Sequence, residues 1–263
     1  MAADIAYRVL SEPEQFEHVI DLEIRVWGIE PRDAVPSTML RALQHGGGLI
    51  NGAYLGNELV GMAVMYPIPL AGRLVQWSHM AGVHPEYQKY GIGRGLKLQQ
   101  REWALANGYD EIRWTYDPLL RGNANFNLRK LGATFDTYLI NFYGIMTDAI
   151  NADGLPSDRV EAVWRLNDAR VVALVNGEPL EQTVDYPALL QRDEHGQPQI
   201  VGVADGKAVG YRVQLPQQIK GLSHDTLLAW RLALRATLQT AFATGYAAVD
   251  FLADEAAYIV HKR

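Results

Sequence analysis

The chain has 263 residues, 48% of them hydrophobic and 21% charged, enough for one large domain or two small ones and too apolar for a disordered chain. A net charge of -6 lacks the basic excess that a nucleic-acid backbone attracts, and the absence of cysteine excludes a disulfide framework, thiolate metal ligation and a cysteine nucleophile. Glu12, Glu14, Glu17, Asp21 and Glu23 stand where an export leader would be basic and apolar, and Leu49–Leu70 is broken by Asn51, Gly56, Asn57, Glu58 and Gly61, so the expectation is a cytoplasmic protein without membrane or nucleic-acid partners.

In chain order, apolar spacing predicts a helix over Glu14–Trp27 entered after Pro13, and a short helix beginning over Met39–Leu43. A hairpin of strands Leu49–Tyr54 and Leu59–Tyr66 follows, then a strand over Leu74–Val83. Ile92–Ala106 is a helix stopped by Asn107 and Gly108. Tyr109–Tyr116 reads as a strand, Asn123–Leu131 as a short helix ended by Gly132, and Ala133–Tyr143 as a strand. Turn formers in Asn151–Ser157 place a boundary near residue 150, giving domains 1–148 and 149–263. The second half reads as strands Val160–Leu166, Ile200–Val203 and Val209–Leu215, a long helix Thr226–Thr244, and strands near Val249 and Ile259. The class is α/β with mixed sheets. Ala106-Asn107-Gly108-Tyr109 closes one long helix much as Ala243-Thr244-Gly245-Tyr246 closes the other, so the second domain reads as a smaller, degenerate repeat of the first.

One segment rises above this background: Val83-His84-Pro85-Glu86-Tyr87-Gln88-Lys89-Tyr90-Gly91-Ile92-Gly93-Arg94-Gly95-Leu96, between a strand and a helix. Three glycines in five residues lower helix propensity by roughly 1 kcal/mol each at a helix start, and what they allow in return is close approach of an anion to converging backbone N–H groups. A Walker loop would need Gly-Lys-Ser/Thr, and Arg94 follows Gly93. A dinucleotide fingerprint would need Gly-x-Gly-x-x-Gly directly after the strand and an acid at the far end of the next one; here Asp110 and Glu111 open that strand. The pattern that fits is Gln/Arg-x-x-Gly-x-Gly/Ala, met by Gln88, Gly91 and Gly93.

On these residues, Val83–Leu96 resembles the pyrophosphate loop of the GNAT superfamily of acyl-coenzyme A-dependent N-acyltransferases, and the order of elements over residues 5–145 resembles that fold. The whole chain also resembles a bacterial branch described as predicted acetyltransferases. The resemblance implies acetyl-CoA as co-substrate and transfer of an acyl group, acetyl in the usual case, to an amine of a small molecule or peptide. It implies that the backbone of Gln88, Lys89, Tyr90, Gly91, Ile92, Gly93 and Arg94 holds the CoA pyrophosphate, that Ala81, Gly82 and Val83 pair with pantetheine, and that Asn123 and Asn125 contact the cofactor near the short helix. The alternative is a non-catalytic acyl-CoA-binding or regulatory module.

An alkylammonium acceptor of pKa about 10 must lose a proton before it attacks. Strict alternation along Leu74–Val83 puts Trp77, His79, Ala81 and Val83 on one face, which makes His79 the candidate base; it matches a histidine of arylalkylamine-acetylating members, whereas Trp77 stands at the family's frequent glutamate. Leu128 stands where many members carry a tyrosine acid, and Tyr116 or Tyr143 is the substitute expected. His84, His195, His224 and His261 lack metal-ligand spacing, so no metal is expected. An exposed last strand could pair with a second copy as a homodimer.

Overall fold

The computed structural model describes residues 5–144, 146, 154–178 and 185–263. The expected boundary near residue 150 lies outside these residues. The chain folds as two compact units, one of Met1–Trp114 with Thr147–Ile150 and Arg165–Asn167, the other of Thr115–Met146, Asn151–Trp164 and Asp168–Arg263.

The first unit is built on strands β1 (Ile5–Val9), β2 (Leu49–Leu55), β3 (Glu58–Leu70), β4 (Arg73–Val83) and β5 (Glu111–Tyr116) in that order, antiparallel up to β4 and parallel between β4 and β5. Helices α1 (Pro13–Trp27) and α2 (Ser37–His45) join β1 to β2, and α3 (Ile92–Ala106) joins β4 to β5. Alternation along β3 feeds two cores, as a period of two requires. Met62 and Val64 enter a cluster with Phe16, Val19, Leu22 and Leu40 from α1 and α2, while Ala63 enters one with Ile92 and Leu96 from α3. Pro13 at the first turn and a capping box between Glu12 and Gln15 start α1. The buried carboxylate of Glu23 accepts from the Val35 N–H at 3.1 Å, tying the α1–α2 connection down.

The second unit contains a short α4 (Arg121–Ala124) running into a six-residue π-helical turn (Asn125–Lys130), then β6 (Tyr138–Leu139) paired antiparallel with β7 (Arg159–Arg165), and α5 (Ala169–Val175). Its five-stranded sheet has the order β11-β12-β10-β8-β9, from β8 (Ala188–Arg192), β9 (Pro198–Ile200), β10 (Gly210–Gln214), β11 (Tyr246–Leu252) and β12 (Ala257–Lys262); β10 and β8 are parallel, the other pairs antiparallel. α6 (His224–Ala243) packs its Trp230, Leu234 and Leu238 into the core. Phe135 is central there, edge-on to Tyr116, Phe242 and Tyr258.

Two expected strands depart most from the structure. Ala133–Tyr143 makes isolated bridges at Thr134 and Phe135 and only two strand residues, because Asn141 takes a positive φ and its N–H turns to the Asp158 carboxylate. In Ile200–Val203 the ladder stops at Ile200, where the N–H groups of Val201 and Gly202 both turn to the Leu189 carbonyl. β1, α5 and β8, of five, seven and five residues, were not expected from apolar periodicity.

Candidate functional site

The segment singled out in the sequence forms a continuous surface on the first unit. β4 runs into a 3-10 turn (Pro85–Tyr90), Gly91 follows with φ 74° and ψ 7°, and α3 begins at Ile92. A left-handed residue is what glycine supplies here; a β-carbon at Gly91 would meet nothing within 4 Å but would be strained by that φ. Gly95 is required by space: a β-carbon there would overlap the Tyr7 hydroxyl and ring.

α3 starts bare. No side chain caps it and no acidic residue lies in its first turn, so the amides of Ile92 and Gly93 and the positive end of its dipole are offered to solvent or a ligand. The long helix of the second unit differs: the Ser223 hydroxyl accepts from Thr226 N–H at 3.2 Å and Asp225 stands in the first turn of α6. That end is already satisfied by its own side chains.

The edge of β4 beside this turn is open. Parallel pairing with β5 is confined to Gln76↔Ile112 and Trp77↔Arg113. Beyond Trp77, no strand pairs with that edge among the described residues, so the main chain of Ala81–Val83 is offered along it. Ala81 is exposed; Gly82 is buried, and its missing β-carbon would stand 3.0 Å from Trp27; Val83 packs on the Ile92–Leu96 cluster. In the turn, Gln88 donates to the Val83 carbonyl at 3.4 Å, and Tyr90 is 57% exposed. The Ile92 side chain is buried, so what it can offer a ligand is its N–H.

His79 sits in a β-bulge. The β3–β4 register steps from Val64↔Met80 to Met65↔Ser78, leaving His79 as the extra residue. This corrects the expected face. Ser78 turns toward α3, where it meets Lys97 and Gln100, and Val83 faces the same helix, whereas the His79 ring lies 6.1 Å from the ring of Tyr66. His79 is solvent-exposed at its rim, yet desolvation by the surrounding protein lowers its pKa, which keeps the imidazole neutral and able to accept a proton at pH 7.

The remaining expected residues belong to the second unit. Tyr116 is a core residue; burial raises its pKa far above the ordinary range, and its hydroxyl accepts from Tyr258 at 3.5 Å. Tyr143 Oη lies 3.0 Å from the Thr115 hydroxyl. Asn123 and Asn125 line a cleft of about 580 Å³ with Arg121, Gln217, Lys220 and Phe251, and among the described residues no carboxylate borders it. Leu128 is fully buried in the π-helical turn.

Sequence periodicity did not reveal the polar cluster beneath the β4 bulge: Asn51, Gln76, Ser78, Lys97 and Gln100, all buried. The signal was present, since Lys97, Gln100 and Ala104 recur at i, i+3 and i+7 on the buried face of α3. Among the described residues no group of three or more His, Asp or Glu side chains is placed to hold a metal, and no helix is long and apolar enough to cross a membrane.

Comparison with known proteins agrees with this geometry. The family model for the acetyltransferase (GNAT) family matches residues 13–132. The ribosomal-protein-S18-alanine N-acetyltransferase of Escherichia coli superposes with a TM-score of 0.50 at 14% identity, over 69% of this chain and 99% of that one. An N-acetyltransferase of Staphylococcus aureus Mu50 matches with a TM-score of 0.49 at 15% identity, over 62% of this chain and 99% of that one. No curated protein matches in sequence. Two helices on one face, a bulged fourth strand, a glycine-rich turn and an uncapped third helix all lie within residues 13–132, the stretch that the acetyltransferase (GNAT) family model matches.

Proposed function

We propose that the chain transfers an acyl group, acetyl in the simplest case, from acyl-CoA to the amine of a small molecule or peptide. The observation that carries this reading is the bare start of α3 beside the open edge of β4. Such a helix end suits a diphosphate, and the N–H groups from Gln88 to Arg94 are the ones that would hold it. Ala81, Gly82 and Val83 would pair with the pantetheine arm, and Asn123 and Asn125 are assigned to the rest of the cofactor. When bound, acyl-CoA supplies an activated thioester. In this reading residues 1–148 hold it and residues 149–263 are a companion domain.

His79 is the proposed base. The bulge lifts it out of the ladder, and its lowered pKa leaves it neutral near pH 7. A positioned base contributes about 10²–10⁴ in rate, so His79→Ala is expected to lower kcat for amine acylation at least about 100-fold and leave CoA affinity unchanged. Because the histidine pKa is lowered, the acid limb of kcat/KM belongs below the ordinary histidine value of about 6.5. A limb above pH 7, or an unchanged kcat, contradicts the assignment. The reading does not rest on a phenolic acid, since a thiol of pKa about 8.5 leaves as thiolate; Tyr116→Phe in the same assay decides whether Tyr116 takes that part.

A second reading, acyl-CoA binding without turnover, is favoured by Leu128 at the place of the usual tyrosine. Binding with no thiol release across a broad panel of amines would establish it.

A further inference from the structure

Where β4 and β5 part, a lysine occupies the gap. Trp77↔Arg113 is the last pair of the parallel ladder. The next residue on each strand, Ser78 and Trp114, meets the same side chain: Lys97 Nζ donates to Ser78 Oγ at 2.7 Å and lies 3.9 Å from the Trp114 ring centroid. Lys97 is 4% exposed. No charged partner meets it among the described residues: Ser78 contacts it from β4 and Trp114 from β5, Gln100 of its own helix bonds to Ser78, and Gln76 is buried two residues before Ser78 on β4, none of them charged. The carboxylates at the start of β5 are engaged elsewhere, Asp110 with Arg73, and Glu111 with Arg73 and Arg113. His79, next to Ser78, has its ring against Tyr66.

The cluster also holds unspent polar capacity. Both side-chain polar atoms of Gln76 and the Gln100 amide nitrogen are buried without a hydrogen-bond partner. Polar atoms left this way in a protein interior call for a partner not supplied by the chain.

We propose that Lys97 is the group that receives the departing thiolate of CoA, donating a proton to its sulfur through the Ser78 hydroxyl. This rests on the acyl-CoA reading above. A pantetheine arm that pairs along β4 from Val83 toward Ala81 is directed at the bulge at His79, next to which Ser78 and Lys97 lie. When the amine nitrogen bonds to the acyl carbon, the carbon–sulfur bond breaks and its electron pair passes to sulfur. The Ser78 hydroxyl, which at rest donates to Gln100 Oε1 at 3.2 Å, turns from it and gives its proton to sulfur as the Lys97 ammonium gives one to Ser78. The amine's proton leaves by His79 to solvent, from which Lys97 regains one. The net change is amine plus thioester to amide plus thiol. Burial lowers the Lys97 pKa to about 7, which makes it acidic enough to protonate a thiolate and basic enough to be recharged. This supplies the proton donor whose usual place is taken by Leu128.

The test is a pH titration of the thiol of CoA bound to the full chain, read by the ultraviolet absorbance of the thiolate. A cation at the sulfur makes the bound thiol about tenfold more acidic than the free thiol of about 8.5. Lys97→Met should abolish the effect and Lys97→Arg should retain it; equal acidity in wild type and Lys97→Met overturns the proposal. A wild-type titration needs no variant: the lysine resonance that titrates near pH 7 should move to higher pH with CoA and stay in place with S-methyl-CoA, which cannot ionise. Movement with both, or with neither, overturns it. Absence of CoA binding in calorimetry defeats the acyl-CoA reading itself, and this proposal with it.

Discussion

Lys97→Met stabilises the free protein by about 2–3 kcal/mol at pH 6.5, with a gain that fades as the pH is raised. An unfolded lysine keeps its proton to a pKa of about 10.4, whereas burial lowers that of Lys97 to about 7. Between these values the unfolded chain binds the extra proton. The wild-type penalty is therefore full below pH 7 and shrinks as the pH rises toward 10. A displacement of that size corresponds to roughly 4–5 kcal/mol, of which the variant recovers about half, because methionine gives up the hydrogen bond to Ser78 and the contact with the Trp114 ring. Methionine fills similar volume and needs no counter-ion. Denaturant unfolding of both proteins at pH 6.5 and 9.5 checks this: the wild type should gain on the variant at the higher pH. A variant less stable at pH 6.5 would show that the lysine is compensated in the folded state. The stability lost to this residue is the kind of strain against local rules that functional sites retain.

Asp117→Ala is expected to destabilise the second unit by about 3–5 kcal/mol. Both carboxylate oxygens of Asp117 accept from the Arg231 guanidinium at 2.6 Å, and one also takes the Leu119 N–H at 2.8 Å. The pair is buried, 8% and 3% exposed. Burial alone would lower the Arg231 pKa, but the hydrogen bonds and charge of Asp117 more than offset that and leave it raised. Removing the carboxylate strands the cation, whose Nε already lacks a partner. Arg159 lies 3.7 Å from Asp117 and carries the same sign, so it offers no relief. Replacing both partners, Asp117→Ala with Arg231→Met, should recover most of the loss, because an apolar pair needs no compensation. A single-variant loss below about 1 kcal/mol would mean that water reaches the guanidinium.

What the sequence disclosed follows from the range of each interaction. α3 was legible to the residue, Ile92–Ala106, because its start and stop are local: glycines before it, Asn107 and Gly108 after it. The glycine-rich turn was legible for the same reason. His79 was expected on the face of Ala81 and Val83, since alternation assumes an unbroken ladder, whereas the bulge depends on how β3 pairs with β4. Lys97 escaped because a charged residue on a helix reads as solvent-facing by default, although its i+3 and i+7 neighbours, Gln100 and Ala104, are buried. The Asp117–Arg231 pair, 114 residues apart, has no local signature. The cut-short strand after Gly132 turned on a tertiary contact between Asn141 and Asp158.

The uncapped start of α3 is the proposed seat of the CoA diphosphate. Calorimetric titration of the full chain with CoA and, separately, with pantetheine, which has the same arm without the diphosphate, tests it directly. Saturable heat is expected with CoA, and affinity at least about tenfold weaker for pantetheine, the least that charge-assisted bonds to several amides should contribute. Equal affinity for the two, or no heat with CoA, contradicts it.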